Sequence, residues 1–386
     1  MKKLLVVTGE VSGDLYGANL IQELRKLIPD LSVFGIGGEK LKQAGAELIY
    51  DIKDISVVGF WEVIPKICRL RRAMKLLHQK MITERPTVCL LIDYPGFNLR
   101  VAKLAKKQGM KVVYYILPQV WAWGRWRIKS IAKYVDIGIS ILPFEREFYK
   151  ELNIEFVGHP LLDIIQKTED RRQKTEDRGQ KTKTIALLPG SRKGEIKRIL
   201  PIMLKVAELI VGAKPLNAFG DKLQSRYYGD GFNFVIPIAP GIDKEWVEGF
   251  IKIALRSKIR VEENKTYEVL MNSDMALIAS GTATLEACLL EVPSIIIYCV
   301  SLISYIVSRL LVKVKWIGLP NLIANKEIMP EFIQFNATPS KIIVAIQEIL
   351  KDRENRIIAL REVKTKLGLP GAVKRVAQIL YEELNF

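Results

Sequence analysis

Histidine and cysteine are scarce in this chain. Its 386 residues hold two histidines, His78 and His159, and four cysteines, Cys68, Cys89, Cys288 and Cys299. No cysteines form a C-x-x-C pair, so neither a zinc site nor a disulfide framework is expected. The four read as buried free thiols in a reducing cytosol. Acid is also short: 42 Asp and Glu stand against 59 Lys and Arg, leaving a net charge of +17. That surplus favours anionic partners, whether nucleic acid, phosphate-rich substrates or an anionic membrane face, and does not choose among them. Long apolar runs are missing as well. No stretch reaches the ~18 uncharged apolar residues of a membrane span. The run 295–306 is too short, and Arg309 and Lys313 follow it. The apolar start, Leu4 to Val7, stops at Gly9-Glu10, too soon for a signal peptide. The expectation is a soluble or peripherally attached protein.

What is present supports two packed domains. Apolar residues make up 49% of the chain, enough for real cores, and its length suits two domains at roughly 100–200 residues each. In the first half, residues 4–8, 32–36, 88–92, 112–117, 136–141 and 155–157 read as strands separated by amphipathic stretches such as 18–27 and 99–108. Continuous apolar strands between helices predict a parallel sheet covered on both faces. Residues 166–183, QKTEDRRQKTEDRGQKTK, are charged and lack aromatics, and read as a disordered insertion beside a linker. Strands then resume at 184–188, 234–238, 275–279 and 294–298, with 213–233 as a surface excursion and helices over 340–350 and 372–384. The predicted organisation is an α/β domain over 1–165, the insertion 166–183, a second α/β domain over 184–339, and C-terminal helices over 340–386.

Ligands of parallel sheets bind beyond the carboxyl ends of the strands. Four loops there carry candidate chemistry. Gly9-Glu10-Val11-Ser12-Gly13-Asp14 follows the first strand; its glycines permit close backbone approach, and Ser12 or Asp14 is placed to cap the next helix. A plain strand–turn–helix joint explains it equally well, and it is not a dinucleotide fingerprint. Asp93 follows strand 88–92 on a stiff Tyr94-Pro95-Gly96 turn, a good position for a general base, with a helix N-cap for the segment from Asn98 as the plainer alternative. Pro189-Gly190-Ser191-Arg192-Lys193-Gly194-Glu195 opens a helix with free N–H groups and a forked cation, a candidate diphosphate cradle that lacks P-loop spacing. Ser280-Gly281-Thr282-Ala283-Thr284-Leu285-Glu286 repeats that design, with Glu286 placed to hold ribose hydroxyls. A fifth loop, from residue 118, gathers Trp121, Trp123 and Trp126 with Arg125 and Arg127; these rings either line a cleft, the favoured reading, or pack under a neighbouring element. Residues 57–77 form a basic amphipathic segment, whose default reading is a helix with its apolar stripe on its own core.

Read in order, these motifs resemble the lipid-A-disaccharide synthase family, inverting glycosyltransferases of the GT-B type. The resemblance rests on the Gly9–Asp14, Asp93, Arg192 and 279–287 motifs above. It also rests on Gly35-Ile36-Gly37-Gly38, Val57-Val58-Gly59-Phe60-Trp61-Glu62-Val63, Pro118-Gln119-Val120-Trp121-Ala122-Trp123, Val157-Gly158-His159-Pro160-Leu161 and Leu319-Pro320-Asn321-Leu322-Ile323-Ala324. It implies two Rossmann-like domains facing across a cleft. It implies transfer from UDP-2,3-diacylglucosamine to 2,3-diacylglucosamine 1-phosphate, making a β-1,6 disaccharide and UDP. Asp93 and Arg192 would be catalytic. Gly9, Glu10, Ser12, Asp14, Gly190, Ser191, Ser280, Gly281, Thr282, Glu286 and Asn321 would bind substrate or UDP. Val57, Val58, Phe60, Trp61, Ile64, Ile67 and Leu70 would form an apolar patch on an anionic inner membrane, from the cytoplasmic side. No cofactor, metal or nucleic acid is implied, and a homodimer is left open. The insertions 166–183 and 213–233 depart from the family pattern. Other GT-B enzymes using UDP-N-acetylglucosamine, or a non-catalytic membrane-surface protein, are the competing readings.

Overall fold

The computed structural model describes residues 2–54, 63–122, 124–150, 152–172, 182–212, 231–311 and 314–385. The first half runs β1 (Lys3–Thr8), α1 (Val11–Leu27), β2 (Ser32–Gly37), α2 (Glu39–Gln43), β3 (Glu47–Asp51), α3 (Val63–Glu84), β4 (Val88–Ile92), α4 (Pro95–Lys107), β5 (Lys111–Tyr115), α5 (Ile128–Tyr134), β6 (Ile137–Ser140), β7 (Ile154–Phe156) and α6 (Leu161–Arg172). The second runs β8 (Lys183–Leu188), α7 (Lys193–Gly212), β9 (Phe232–Ile238), α8 (Lys244–Glu248), β10 (Ile259–Glu263), α9 (Thr266–Met271), β11 (Met275–Ala279), α10 (Thr282–Leu289), β12 (Ser294–Tyr298), α11 (Leu302–Leu311), α12 (Leu319–Ala324), β13 (Glu331–Ile333), α13 (Pro339–Lys351), α14 (Arg353–Lys366) and α15 (Ala372–Asn385).

The chain divides into two units, Met1–Asp163 with Leu367–Phe386, and Ile164–Lys366. The first holds a sheet of order β3-β2-β1-β4-β5-β6-β7, and the second a sheet of order β10-β9-β8-β11-β12-β13. Every strand pair is parallel. Runs such as Val88-Cys89-Leu90-Leu91-Ile92 are buried at every position because helices cover both faces. In each sheet the order reverses beside the first strand: between β1 and β4, and between β8 and β11. The helices after those two strands leave to opposite faces, which opens a crevice at the carboxyl edge.

Both units tie the C-terminal helices down differently. α13 and α14 belong to the second unit, and α15 returns to the first. There the Asp163 carboxylate accepts the N–H groups of Gly371 and Val373 at the start of α15, and Arg375 Nε donates to the Val157 carbonyl at 2.9 Å.

Three expectations change here. α6 continues through residue 172, so the first part of the charged 166–183 segment is helical; Glu, Lys, Arg and Gln all have good helix propensity. Residues 173–181 and 213–230 lie outside the described residues, and Asn233 belongs to β9. Cys68 is exposed rather than buried, and Cys299 is half-buried. The apolar stripe of α3 turns inward, in line with the default reading of this segment. Ala73, Leu77 and Met81, four apart, are buried, and Leu70 and Met74 pack against the same core. Leu70, expected in the membrane patch, is half-buried against that core. Arg69, Arg71, Arg72 and Lys75 are exposed. Val57, Val58, Phe60 and Trp61 lie outside the described residues, and the side chains of Ile64 and Ile67 are not described.

Leu77→Ala should therefore cost about 2–5 kcal/mol of stability in denaturant titration. Arg72→Ser, at an exposed position of the same helix, should change it by less than about 0.5 kcal/mol. Equal, small effects would mean that this stretch does not face the core.

Candidate active site

The crevice of the first unit is bounded by the loops after β1 and β4. Asp93 and Tyr94, directly after β4, both have left-handed backbones, with φ of 48° and 50°. Such backbone costs on the order of 1–2 kcal/mol per non-glycine residue, so something must hold it. Two buried side chains do. Asn98, in the first turns of α4, donates from Nδ2 to the Asp93 carbonyl at 2.7 Å and to the Ile92 carbonyl at 3.1 Å. The Tyr114 hydroxyl, from β5, donates to the same Asp93 carbonyl at 2.7 Å. Across the crevice Gly9 is obligatory: a Cβ there would lie 2.2 Å from the Tyr94 ring. The backbone is thus turned so that Asp93 stands at the strand's end beside Glu10. Burial pushes the Asp93 carboxyl up to about 6, and the Glu10 carboxylate adds to the shift, against a hydrogen bond from the Tyr94 N–H. A carboxyl poised there serves proton abstraction near neutral pH.

A second buried acid lies nearby. Glu145, 1% exposed, accepts Trp121 Nε1 at 3.3 Å and the N–H groups of Ile141 and Leu142 at 3.3 Å. Burial raises its carboxyl to about 7, and the Asp93 charge contributes. Trp121 is therefore an interior anchor, edge-on to Phe144 at 5.1 Å, and not a surface-lining ring. Trp126 is exposed, with Arg127 stacked over it at 4.9 Å, and Trp123 lies outside the described residues. His159 supplies no base: burial lowers its imidazole to about 3, and Nδ1 accepts the Leu161 N–H at 3.2 Å.

In the second unit the loops after β8 and β11 bound the equivalent crevice. Gly190 has φ of 115°, and a Cβ there would meet Glu195 Oε2 at 2.6 Å. The Glu195 carboxylate accepts the Ser191 N–H at 3.2 Å and pairs with Arg192 at 3.4 Å. The donors at the start of α7 therefore already hold an internal anion, as a phosphate-binding turn would. Ser191 and Arg192 are exposed. On the neighbouring loop, Gly281 and Thr282 are exposed at the N-terminus of α10, and Ser280 is half-buried. Glu286 is half-buried, its carboxyl raised by desolvation; one oxygen accepts the Tyr267 hydroxyl at 3.0 Å. Among the described residues, none donates a hydrogen bond to the other.

Two residues expected to contact ligand have side chains tied to neighbouring groups of the fold. The Asp14 carboxylate is buried and accepts the N–H groups of Gly38, Lys40 and Leu41 at 2.7, 3.0 and 3.2 Å, capping α2. Asn321 is buried with its amide fully used. Oδ1 accepts Ile328 and Met329 N–H at 2.9 Å, and Nδ2 donates to the Met329 carbonyl and Glu331 Oε1. Gly9, Glu10 and Ser12 stay at the first crevice, with Glu10 and Ser12 half-buried. Among the described residues, no group of three or more His, Cys, Asp or Glu is arranged to hold a metal ion.

Two doubly wound parallel units in one chain, each with its ligand loops at a switch point, define a GT-B-like fold. The glycotransferase of kitacinnamycin superposes with a TM-score of 0.66 at 13% identity, over 99% of each chain. The UDP-GlcNAc 2-epimerase from Neisseria meningitidis bound to UDP-GlcNAc gives 0.65 at 14% identity, over 98% of this chain and 100% of its own. At the level of sequence, residues 4–375 match the lipid-A-disaccharide synthetase family model, and the chain belongs to that family. The lipid-A-disaccharide synthase of Anaeromyxobacter dehalogenans (strain 2CP-C) is 40% identical over 382 residues, spanning 97% of this chain and 96% of its own.

Asp14→Ala and Asn321→Ala should each cost on the order of 2–4 kcal/mol by denaturant titration, since each leaves several buried groups unpaired. Ser191→Ala and Thr282→Ala, at exposed positions, should stay within about 0.5 kcal/mol. Marginal losses at Asp14 and Asn321 would return both to the ligand-contacting set.

Proposed function

We propose that the chain transfers the acylated glucosamine of UDP-2,3-diacylglucosamine to the 6-hydroxyl of 2,3-diacylglucosamine 1-phosphate. The products are the β-1,6-linked disaccharide 1-phosphate and UDP. The observation that carries this reading is Asp93, held in a left-handed backbone at the switch point of the first sheet, in a chain of this family. In this scheme the N-terminal unit takes the acceptor and the C-terminal unit takes the UDP-sugar.

The Asp93 carboxylate removes the proton of the acceptor hydroxyl as its oxygen attacks the anomeric carbon. The new C–O bond forms on the face opposite the diphosphate, and the bond to the UDP oxygen breaks, inverting the centre. Charge then develops on the departing diphosphate. Arg192 and the N–H groups around Gly190, Ser191, Gly281 and Thr282 meet that charge. Ser280 supports the same turn, and the free oxygen of Glu286 holds a ribose hydroxyl. Gly9, Glu10 and Ser12 border the acceptor. Nothing in these roles needs nucleic acid.

Both sugars carry acyl chains, which places the enzyme on the cytoplasmic face of the inner membrane as a peripheral protein. Among the described residues, no helix is long and apolar enough to cross a membrane. The attachment patch is Val57, Val58, Phe60, Trp61, Ile64 and Ile67, beside Lys66 and the exposed Arg69, Arg71, Arg72 and Lys75. Each base near an anionic surface contributes about 1 kcal/mol, falling off within a Debye length.

Asp93→Asn should lower turnover by ~10²–10⁴ while UDP affinity is kept. Near-normal turnover would remove Asp93 as the base. The reaction should also lose rate about tenfold per pH unit as pH falls below about 6, because the base must be ionised and its pKa is near 6. Glu10→Gln removes a charge that raises this pKa, so the acid limb should move to lower pH. An unmoved limb in the variant would show that the rate follows another group.

A further inference from the structure

The C-terminal unit carries an apolar surface that its core does not use. After β12, Ser301 starts α11, its Oγ accepting the Ser304 N–H at 3.2 Å. The helix then presents Leu302, Ile303 and Ile306 to solvent at 55%, 68% and 53% exposure. Phe335, 73% exposed, stands next to this helix with its ring edge-on to Tyr305 at 6.1 Å. Residues 302, 303 and 306 share one side of a helix. Single exposed apolar residues are ordinary, but three on one helical face with an exposed aromatic beside them mark a contact surface.

The charge around this surface narrows the choice of partner. From Val292 to Lys326 the sequence contains no Asp or Glu, while Arg309, Lys313, Lys315 and Lys326 are all basic. Arg309 and Lys315 are exposed, and Lys315 lies over the Trp316 ring at 4.4 Å. An apolar face on a segment whose own charges are all basic suits a partner with an apolar interior and an anionic surface. A second copy of this chain is a poor match, because an isologous contact would set the same cations against each other.

We propose that α11 and Phe335 dock the C-terminal unit on an anionic lipid bilayer, with Leu302, Ile303, Ile306 and Phe335 entering the acyl boundary and Arg309 and Lys315 meeting headgroup phosphates. This surface is separate from the α3 segment of the N-terminal unit. α11 follows the carboxyl end of β12, next to β11, whose following loop holds Ser280 and Gly281. The bilayer would thus lie toward the sheet edge that carries the nucleotide loops. Its use rests on the proposed reaction: the donor's acyl chains stay in the membrane while its UDP is bound at that edge. The docking itself does not depend on the reaction.

The full-length protein is sedimented with vesicles of phosphatidylcholine alone and with added phosphatidylglycerol. The wild type should bind the anionic vesicles and release in high salt. The variant Leu302→Ser/Ile303→Ser/Ile306→Ser should bind them at least about tenfold more weakly, with UDP affinity unchanged. In hydrogen exchange on the wild type, amides 302–311 should gain protection when anionic vesicles are added. Wild-type binding by the variant, or no gain of protection over 302–311, overturns the proposal. So does a dimeric wild type whose variant becomes monomeric while still binding vesicles, since a second copy then covers the face. If the variant melts early, the exchange result on the wild type decides alone. An absent transferase activity in a protein that passes both lipid tests would refute the proposed reaction and leave the docking surface standing.

Discussion

Both candidate sites depend on one constraint of parallel sheets. Where the strand order reverses, the helices after two adjacent strands must leave to opposite faces, and no helix covers the gap between them. In the first sheet that gap falls between β1 and β4, and in the second between β8 and β11. The loops that flank the gaps are those with Glu10 and Asp93, and those with Arg192 and Gly281. Everything else in each unit serves to hold those loop ends still. The strands behind them are fully buried, as in β4 and β11, so the loops stand on rigid supports.

Burial sets the chemistry of the first site. Asp93 is held by its carbonyl, through Asn98 and Tyr114, while its carboxylate, largely desolvated, accepts the Tyr94 N–H. The same desolvation that makes the group costly to ionise brings its pKa to about 6. Glu10 acts in the same direction on Asp93, and the Asp93 charge does so on Glu145, since like charges in a low-dielectric setting resist a further negative charge. Glu145 is in turn tied to Trp121, so the loop after β5 is linked to the acid cluster through one buried hydrogen bond. The second site works by the opposite sign. Its groups are exposed donors at helix starts, and their field favours an anion.

The central strands were legible in the sequence because they are continuous apolar runs. The strands that escaped, β3, β10 and β13, all lie at sheet edges. Glu47-Leu48-Ile49-Tyr50-Asp51 and Ile259-Arg260-Val261-Glu262-Glu263 carry charge because one side meets water, which hides the strand pattern. The switch-point loops were also legible, because Gly, Pro, Ser and Asp stand out after apolar strands. Their finer roles were not. Asp14 and Asn321 sit in motifs that point to ligand, yet their polar atoms bond groups outside those motifs, on the 38–41 turn and on the 328–331 segment. Tyr114 hides in the apolar run Lys111-Val112-Val113-Tyr114-Tyr115, and Glu145 in a charged stretch that reads as surface. Only the fold brings these two beside Asp93.

The central claim is that this chain joins two sugars with inversion, with Asp93 as the base. The most direct measurement is to incubate the purified protein with the two acylated sugars and analyse the product by mass spectrometry and by the anomeric proton coupling. The account predicts a disaccharide 1-phosphate with a β-configured 1,6 linkage, formed in step with UDP. An epimerised monosaccharide, an α-linked product, or UDP-sugar consumed with no disaccharide formed would contradict it.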